Sequence, residues 1–100
     1  MLNTDNHVQG DEALAVHVDG IVESVLGRFR RQITRVEVHL SDVNADKSGS
    51  SDKRCVMEAR LEGRPPAAAS NDAETMRAAI SGAAHKLQRV LDSSLGKLSS

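Results

Sequence analysis

The sequence contains almost no aromatic residues and almost no cysteine. Among its 100 residues there is one phenylalanine and neither tyrosine nor tryptophan, so aromatic platforms for stacking nucleic-acid bases are nearly excluded. The single cysteine, Cys55, cannot form an internal disulfide. No stretch approaches the ~20 apolar residues that span a bilayer, and none resembles a signal peptide. These absences predict a cytoplasmic protein with no membrane partner.

The residues that are present suit one compact domain. Hydrophobic side chains make up 39% of the chain, and a domain of this length buries roughly two-thirds of the surface exposed by its unfolded chain. We therefore expect residues 1–100 to form a single domain. Its core must be built from aliphatic side chains and alanine.

Charge is nearly balanced overall but unevenly distributed. A formal net charge of −1 argues against a strongly basic nucleic-acid-binding domain. Yet residues 1–27 contain acids without lysine or arginine, residues 28–36 contain four arginines without an acid, and residues 77–97 contain four basic residues against Asp92 alone. This segregation is compatible with a polyanion-binding edge, and also with chance scatter over a solvated surface.

Two helices are predicted from apolar residues that recur at every third or fourth position. The first begins after Gly10, where two acidic residues favour the positive end of the helix dipole. The second is expected to begin at a capping box of Asn71 and Glu74 and to fade near Ser93. The two apolar stripes contain Leu14, Val18, Ile21, Val22, Val25 and Phe29, and then Met76, Ile80, Ala83, Leu87, Val90 and Leu91.

Strands are predicted where apolar and polar residues alternate with a period of two. The clearest strands run through Val36–Leu40 and Cys55–Leu61, each with one apolar face. Two weaker strands are expected at Met1–Thr4 and, after a proline-containing turn, at Ala67–Ser70, the latter as an edge strand. The small polar residues 43–52 predict a loop.

The order of elements predicts an α+β fold with the arrangement βαβββα. Each helix has one apolar stripe and each middle strand has one apolar face, so two layers bury these surfaces most economically. We expect a four-stranded mixed sheet with both helices packed on one face. The strand-helix-strand start favours a parallel pair, and the later strands are expected to be antiparallel.

Basic side chains lie in pairs on the two predicted helices. At 100° per residue, Arg28 and Arg31 share a flank of the first helix. Lys86 and Arg89 share a flank of the second, and Lys97 would join them if that helix persists. Two such pairs side by side form a clamp for phosphates. Basic residues near helix C-termini are also simply good helix stabilisers, so this pattern leaves both interpretations open.

Other chemically active residues form no catalytic or metal-binding pattern. His7, His17, His39 and His85 have no metal-ligand spacing. Cys55 belongs to an inward strand pattern, which favours a core position over a nucleophile. No pair of acids and no glycine motif suits general acid-base work or phosphate cradling. The sequence therefore predicts no enzyme, no metal, no cofactor and no small-molecule substrate.

Three runs of the sequence carry a family pattern over nearly the whole chain. They are RFRRQITRVEVHLSD, RCVMEARLEG and AETMRAAISGAAHKLQRVL. The last contains an alanine-alanine-isoleucine step at 78–80, the pair Lys86-Leu87 and a further basic residue, Arg89. On these runs the chain resembles the short form of the ribosome hibernation-promoting factor and ribosome-associated inhibitor family, which includes the sigma-54 modulation, S30EA-like proteins.

This resemblance implies a fold similar to a double-stranded RNA-binding domain and a hibernation factor that inhibits translation. Such a factor binds 16S rRNA of the 30S subunit in the mRNA and tRNA channel, and blocks translation by occupancy. It also implies a chain without the C-terminal dimerisation domain of long members. The implied rRNA-binding residues are Arg28, Arg31, Lys86, Arg89 and Lys97, with Arg30, Arg35 and Arg77 as secondary contacts.

Two positions depart from the family pattern and keep alternatives open. Val25 and Ser93 stand where relatives often have basic side chains, which predicts weaker affinity. The first alternative is a module of the same fold with little RNA affinity, which forms a homodimer through the sheet edge after a short first strand. A second is a general binder of double-stranded RNA, with comparable affinity for arbitrary duplexes.

Overall fold

A computed structural model describes residues 4–6, 12–43 and 53–99, with side chains at positions 4–5, 12–43 and 53–95. The predicted α+β fold with the order βαβββα is confirmed. Its elements are β1 (Thr4–Asn6), α1 (Glu12–Leu26), a 3-10 turn (Gly27–Phe29), β2 (Ile33–Asp42), β3 (Lys53–Leu61), β4 (Ala67–Ala73) and α2 (Met76–Ser99).

The four strands form one mixed sheet in the order β1-β2-β3-β4. β1 pairs with β2 in parallel, with Thr4 opposite Val36. The other pairs are antiparallel, and Val38, Met57 and Ala69 lie side by side across β2, β3 and β4. The predicted parallel start, the antiparallel neighbours and the edge position of β4 are therefore confirmed.

Both helices contribute to a single hydrophobic core over one face of the sheet. Alternate residues of β2 and β3 are buried because a strand turns successive side chains to opposite faces. α1 and α2 close this face with their apolar stripes, as predicted. The fully buried residues include Val18, Val22 and Leu26 of α1, Val36 and Val38 of β2, Cys55, Met57 and Ala59 of β3, and Ile80, Leu87 and Leu91 of α2.

The predicted ends of α2 were wrong at both termini. The helix begins at Met76, where the Thr75 hydroxyl accepts a hydrogen bond from the Ala78 amide at 3.1 Å. Asn71, predicted as its cap, instead lies in β4 opposite Cys55, because β3 offers pairing partners for the whole of β4. The helix continues to Ser99 because Leu95 extends its buried stripe.

The predicted end of the first helix was also wrong. The α-helix stops at Leu26, and Arg28 lies in the 3-10 turn that follows. Arg28 lies inside this turn and Arg31 lies beyond its end at Phe29, so the two residues do not share a flank of an α-helix as predicted. The turn brings Phe29 into the core, where 6% of its surface remains exposed.

The weakly patterned segments are only partly covered by the described residues. The first strand was predicted at Met1–Thr4, whereas β1 begins at Thr4, and positions 1–3 lie outside the described residues. Positions 44–52 of the predicted polar loop lie outside them as well. The predicted turn before β4 is present and contains Gly63 with a φ of 71°, a left-handed value that favours glycine.

Candidate nucleic-acid interface

Arg28 connects the 3-10 turn to the C-terminal half of α2. Its Nη2 atom lies 2.8 Å from Oδ1 of Asp92, and its guanidinium carbon lies 4.9 Å from the centroid of the Phe29 ring. The Arg28 side chain remains 60% exposed. Arg89 is three residues from Asp92 and therefore its neighbour on the helix surface. Tertiary packing thus brings two predicted contact residues, Arg28 and Arg89, onto one surface.

Lys86 lies on the flank of α2 that faces β4. Its Nζ atom donates a hydrogen bond to the carbonyl oxygen of Ser70 at 3.3 Å, and both residues are exposed. At 100° per residue, Arg89 projects between Lys86 and Asp92 around the helix. The outside of α2 therefore carries, in this order around the helix, Lys86, Arg89 and Asp92. Arg28 follows next to Asp92. We call Arg28, Lys86 and Arg89 the basic band.

Two predicted contacts lie outside this band or outside the described side chains. Arg31 is exposed in the turn before β2 and makes no ion pair within the described residues. Lys97 belongs to α2, as predicted if the helix persisted, but its side chain lies outside the described residues. The structure therefore brings together three of the five predicted contact residues.

The three predicted secondary contacts occupy separate places. Arg30 donates from Nε to the Gly27 carbonyl oxygen at 2.9 Å and pairs with Glu23 at 3.4 Å, so it closes the end of α1. Arg35 is exposed on β2, and Arg77 is exposed in the first turn of α2. Arg77 lies twelve residues before Arg89, about 18 Å along the helix axis.

The outer face of the sheet carries a set of ion pairs that sequence reasoning did not identify. Arg54 contacts Asp72 through two hydrogen bonds of 2.7 and 3.1 Å. Arg60 contacts Glu37 at 2.7 Å. These guanidinium hydrogen bonds hold the pKa of Asp72 and of Glu37 below the ordinary carboxyl range. These opposite charges are far apart in the sequence, and only the strand register brings them together. The ion pairs could therefore not be predicted from the sequence pattern.

In the described part of the chain, the histidines form no metal site and Cys55 is not placed as a nucleophile. No group of three or more histidine, cysteine or acidic residues there could hold a metal ion. Burial raises the pKa of the Cys55 thiol to about 12, so the nucleophilic thiolate is scarce at neutral pH. His85 Nδ1 lies 2.8 Å from the Ser81 carbonyl oxygen within its own helix. Among the described residues, no helix is long and apolar enough to cross a membrane.

The fold and the charge arrangement together define a class of protein. A four-stranded mixed sheet is covered on one face by two helices. Exposed cations lie on the outer side of α2, and the opposite face of the sheet is lined by paired charges. This is a small two-layer α+β domain with exposed cations on one of its helices.

The family of this domain follows from comparison with known proteins. The chain belongs to the family described as Sigma 54 modulation protein / S30EA ribosomal protein, which matches residues 3–99. The predicted family is therefore confirmed. The family is ribosome-associated and non-enzymatic. No curated protein matches the sequence.

Two solved structures share the fold. The N-terminal domain of Protein Y from Thermus thermophilus has a TM-score of 0.69 and 17% identity, and the match covers 93% of this chain and 98% of that domain. A ribosomal subunit interface protein from Coxiella burnetii has a TM-score of 0.67 and 17% identity, with coverage of 95% and 97%. At this identity the likeness shows the shared fold.

Proposed function

We propose that the protein is a ribosome-hibernation factor that binds 16S rRNA in the mRNA and tRNA channel of the small subunit and blocks translation by occupancy. The observation that carries this proposal is the contact of Arg28 with α2, which places exposed cations from two elements on one surface. Family membership supports the ribosome as partner. The proposed location is accordingly the cytoplasm, where translating ribosomes are found.

The basic band has the chemistry required to bind an RNA backbone. The planar guanidinium of Arg28 or Arg89 can grip a phosphate with two parallel N–H groups, whereas Lys86 supplies a point charge. The bond from Lys86 to Ser70 is exposed, so the ammonium can exchange it for phosphate. A folded rRNA channel is recognised by shape and backbone, so base readout is not required.

The proposed contact set keeps all five predicted residues and gives the secondary ones less weight. Arg30 already holds the end of α1 and would have to leave the Gly27 carbonyl to reach RNA. Val25, where relatives often have a basic residue, is buried here and cannot contact a partner. The proposed primary contacts are Arg28, Arg31, Lys86, Arg89 and Lys97, and the proposed secondary contacts are Arg30, Arg35 and Arg77.

Cosedimentation with 70S ribosomes at low salt tests this proposal. The wild-type protein is expected to travel with the ribosome, and a triple alanine variant of Arg28, Lys86 and Arg89 is expected to remain at the top of the gradient. We also expect residues 1–100 to bind as a single domain. A wild-type protein that does not cosediment would overturn the proposal.

A matched control removes the same amount of positive charge elsewhere. Lys53, Arg54 and Arg60 lie on β3, and each pairs with an acid of the sheet. Their triple alanine variant is expected to cosediment nearly as well as the wild type. If both triple variants lose binding equally, net charge alone drives association and the basic band has no special role.

A second candidate function is self-association with little RNA affinity. It is favoured by the short β1, which in the described part of the chain pairs only with Val36–Val38 of the ten-residue β2. The remaining edge of β2 could pair with a second copy to form a homodimer. Analytical ultracentrifugation distinguishes this candidate, because it requires a salt-insensitive dimer without ribosome binding. Equal affinity for arbitrary RNA duplexes would instead indicate a general duplex binder.

A further inference from the structure

We infer that Asp92 competes with RNA phosphate for Arg28 and thereby limits the affinity of the basic band. This inference rests on the proposed function and adds a residue of the protein itself that lowers its affinity for RNA. Asp92 is the sole acid among positions 77–97, and it lies between the two arginines of the band.

The Arg28 guanidinium already faces an anion, as it would when it binds a phosphate. A carboxylate oxygen of Asp92, Oδ1, lies 2.8 Å from Nη2 of Arg28 in an ion pair. Carboxylate and phosphate oxygens present the same kind of anionic acceptor to the guanidinium fork. Both side chains are open to solvent, at 60% for Arg28 and 41% for Asp92. An incoming phosphate can therefore reach Arg28, but it must displace or approach a resident anion.

Arg28 has a second restraint besides Asp92. The Arg28 guanidinium also lies over the ring of Phe29, and that ring is anchored in the core. A cation on an aromatic face is already restrained and stabilised at this distance. The positioning effect of Asp92 is therefore largely redundant. What remains is its negative charge, which repels phosphate at Arg28 and at its helix neighbour Arg89.

Asp72 also lies near a cation of the band, Lys86, but it is held by two hydrogen bonds from Arg54. Two further exposed ion pairs among the described residues lie apart from the band. Glu23 pairs with Arg30, but Arg30 is also engaged by the Gly27 carbonyl oxygen. Asp42 pairs with Lys53 at 2.7 Å. Asp42 stands at the opposite end of the ten-residue β2 from the 3-10 turn, roughly 30 Å away along the strand. Asp42→Asn is therefore a matched control for removing an exposed, paired carboxylate.

The decisive experiment measures the affinity of Asp92→Asn for 30S subunits over a range of salt concentrations. Removing the competitor is expected to tighten binding by about three- to fivefold near 0.1 M salt, the size of an exposed ion pair. Asp42→Asn is expected to bind like the wild type. In an Arg28→Ala background, the gain from Asp92→Asn is expected to shrink, because the two side chains act through each other.

The possible outcomes separate this inference from the proposed function. If the wild type does not bind, or if the triple variant of the basic band binds equally well, the proposed function fails. If both behave as proposed but Asp92→Asn binds no better than the wild type, the competitor role of Asp92 is overturned alone. A gain that persists undiminished without Arg28 also overturns it. Thermal unfolding of each variant verifies that the fold is retained.

Discussion

At the scale of single residues, the availability of a cation depends on its neighbours. Arg54 and Arg60 are exposed, yet each is hydrogen bonded to an acid across the sheet. Arg89 is exposed on α2 and has no ion pair within the described residues. Exposed ion pairs contribute little stability, typically below about 1 kcal/mol. Such a pair still reduces the positive charge that its cation offers to a polyanion.

Gly82 of α2 faces the side chain of Asn71 on β4. A Cβ atom built on Gly82 would collide with the side-chain amide of Asn71 on β4. We expect Gly82→Ala to lower the free energy of unfolding by about 1 kcal/mol, because overpacking outweighs the better helix propensity of alanine. Urea denaturation measures this difference.

Gly20 provides the matched control for that substitution. It lies in α1, and a Cβ atom there would have no heavy atom within 4 Å. Gly20→Ala should therefore stabilise the protein by up to about 1 kcal/mol. In an Asn71→Ala background, Gly82→Ala should also become stabilising. If Gly82→Ala stabilises the otherwise unchanged protein, the collision with Asn71 is unimportant.

At the scale of elements, strand pairing determines where α2 begins. β4 was expected to end at Ser70, but β3 continues to pair with it as far as Ala73. The backbone hydrogen bonds of the added strand residues compete with the helical conformation that a cap at Asn71 would require. Helix initiation therefore moves to Thr75, whose hydroxyl accepts an amide hydrogen bond.

Substitutions at the two candidate caps test this assignment. Thr75→Ala is expected to cost about 1 kcal/mol of unfolding free energy, because an amide of the first helical turn loses its acceptor. Glu74→Ala should remain within about 0.5 kcal/mol of the wild type, as exposed substitutions usually do. Chemical denaturation of both variants measures the two effects. A larger loss at Glu74 would restore the capping box predicted from the sequence.

The ion pairs of the sheet predict a dependence of stability on pH. Arg54 holds the pKa of Asp72 below its ordinary value, so the folded state binds a proton less readily than the unfolded state. The stabilisation is present above the unfolded pKa of about 4 and is lost as the pH falls through the lower folded pKa. The difference in unfolding free energy between wild type and Asp72→Asn should therefore be smaller at pH 3 than at pH 7.

A carboxylate without an ion pair is the control for the pH measurement. Glu62 is exposed and has no ion pair within the described residues. Glu62→Gln is expected to follow the wild-type dependence on pH. If Asp72→Asn keeps the same stability difference from the wild type at both pH values, Asp72 does not contribute to the loss on acidification.

At the scale of the whole molecule, a nearly neutral protein has ion-paired and exposed basic side chains on different faces. Its formal net charge is −1. On the outer face of the sheet, Arg54 and Arg60 are paired with acids, whereas the outer side of α2 presents Lys86 and Arg89. Such separation produces a local positive field without a strongly basic composition. This arrangement explains how the charge balance is compatible with an RNA partner.

The salt dependence of binding tests this view of the whole molecule. If ~5 phosphates are contacted, the logarithm of the affinity should fall against the logarithm of salt with a slope of roughly −4 to −5. Alanine at Arg28, Lys86 or Arg89 should each reduce the magnitude of that slope by about 1. Fluorescence anisotropy of end-labelled protein with 30S subunits measures the slopes.

Arg54→Ala is the matched control for the salt titration, because Arg54 lies on β3 outside the basic band and is held by two hydrogen bonds to Asp72. Its slope is expected to equal that of the wild type. A wild-type affinity that is independent of salt would contradict a phosphate-dominated interface.

The sequence by itself determined the class of fold, the order of the elements and the inward residues. Periods of two and of three to four record which side of a strand or helix is apolar, and burial of those sides leaves few arrangements. Residues such as Val36, Val38, Met57 and Leu87 were therefore identified correctly. The family was also evident from the order and spacing of its motifs.

Only the tertiary structure decided the element boundaries and the partners of the charged residues. Thr75 replaced Asn71 as helix cap because strand pairing extended β4. Arg28 met Asp92 although 64 positions separate them in the sequence. Local patterns carry no information on such pairs, since register and helix packing set the distances between groups remote in the chain. Which cations remain open is therefore a property of the folded molecule.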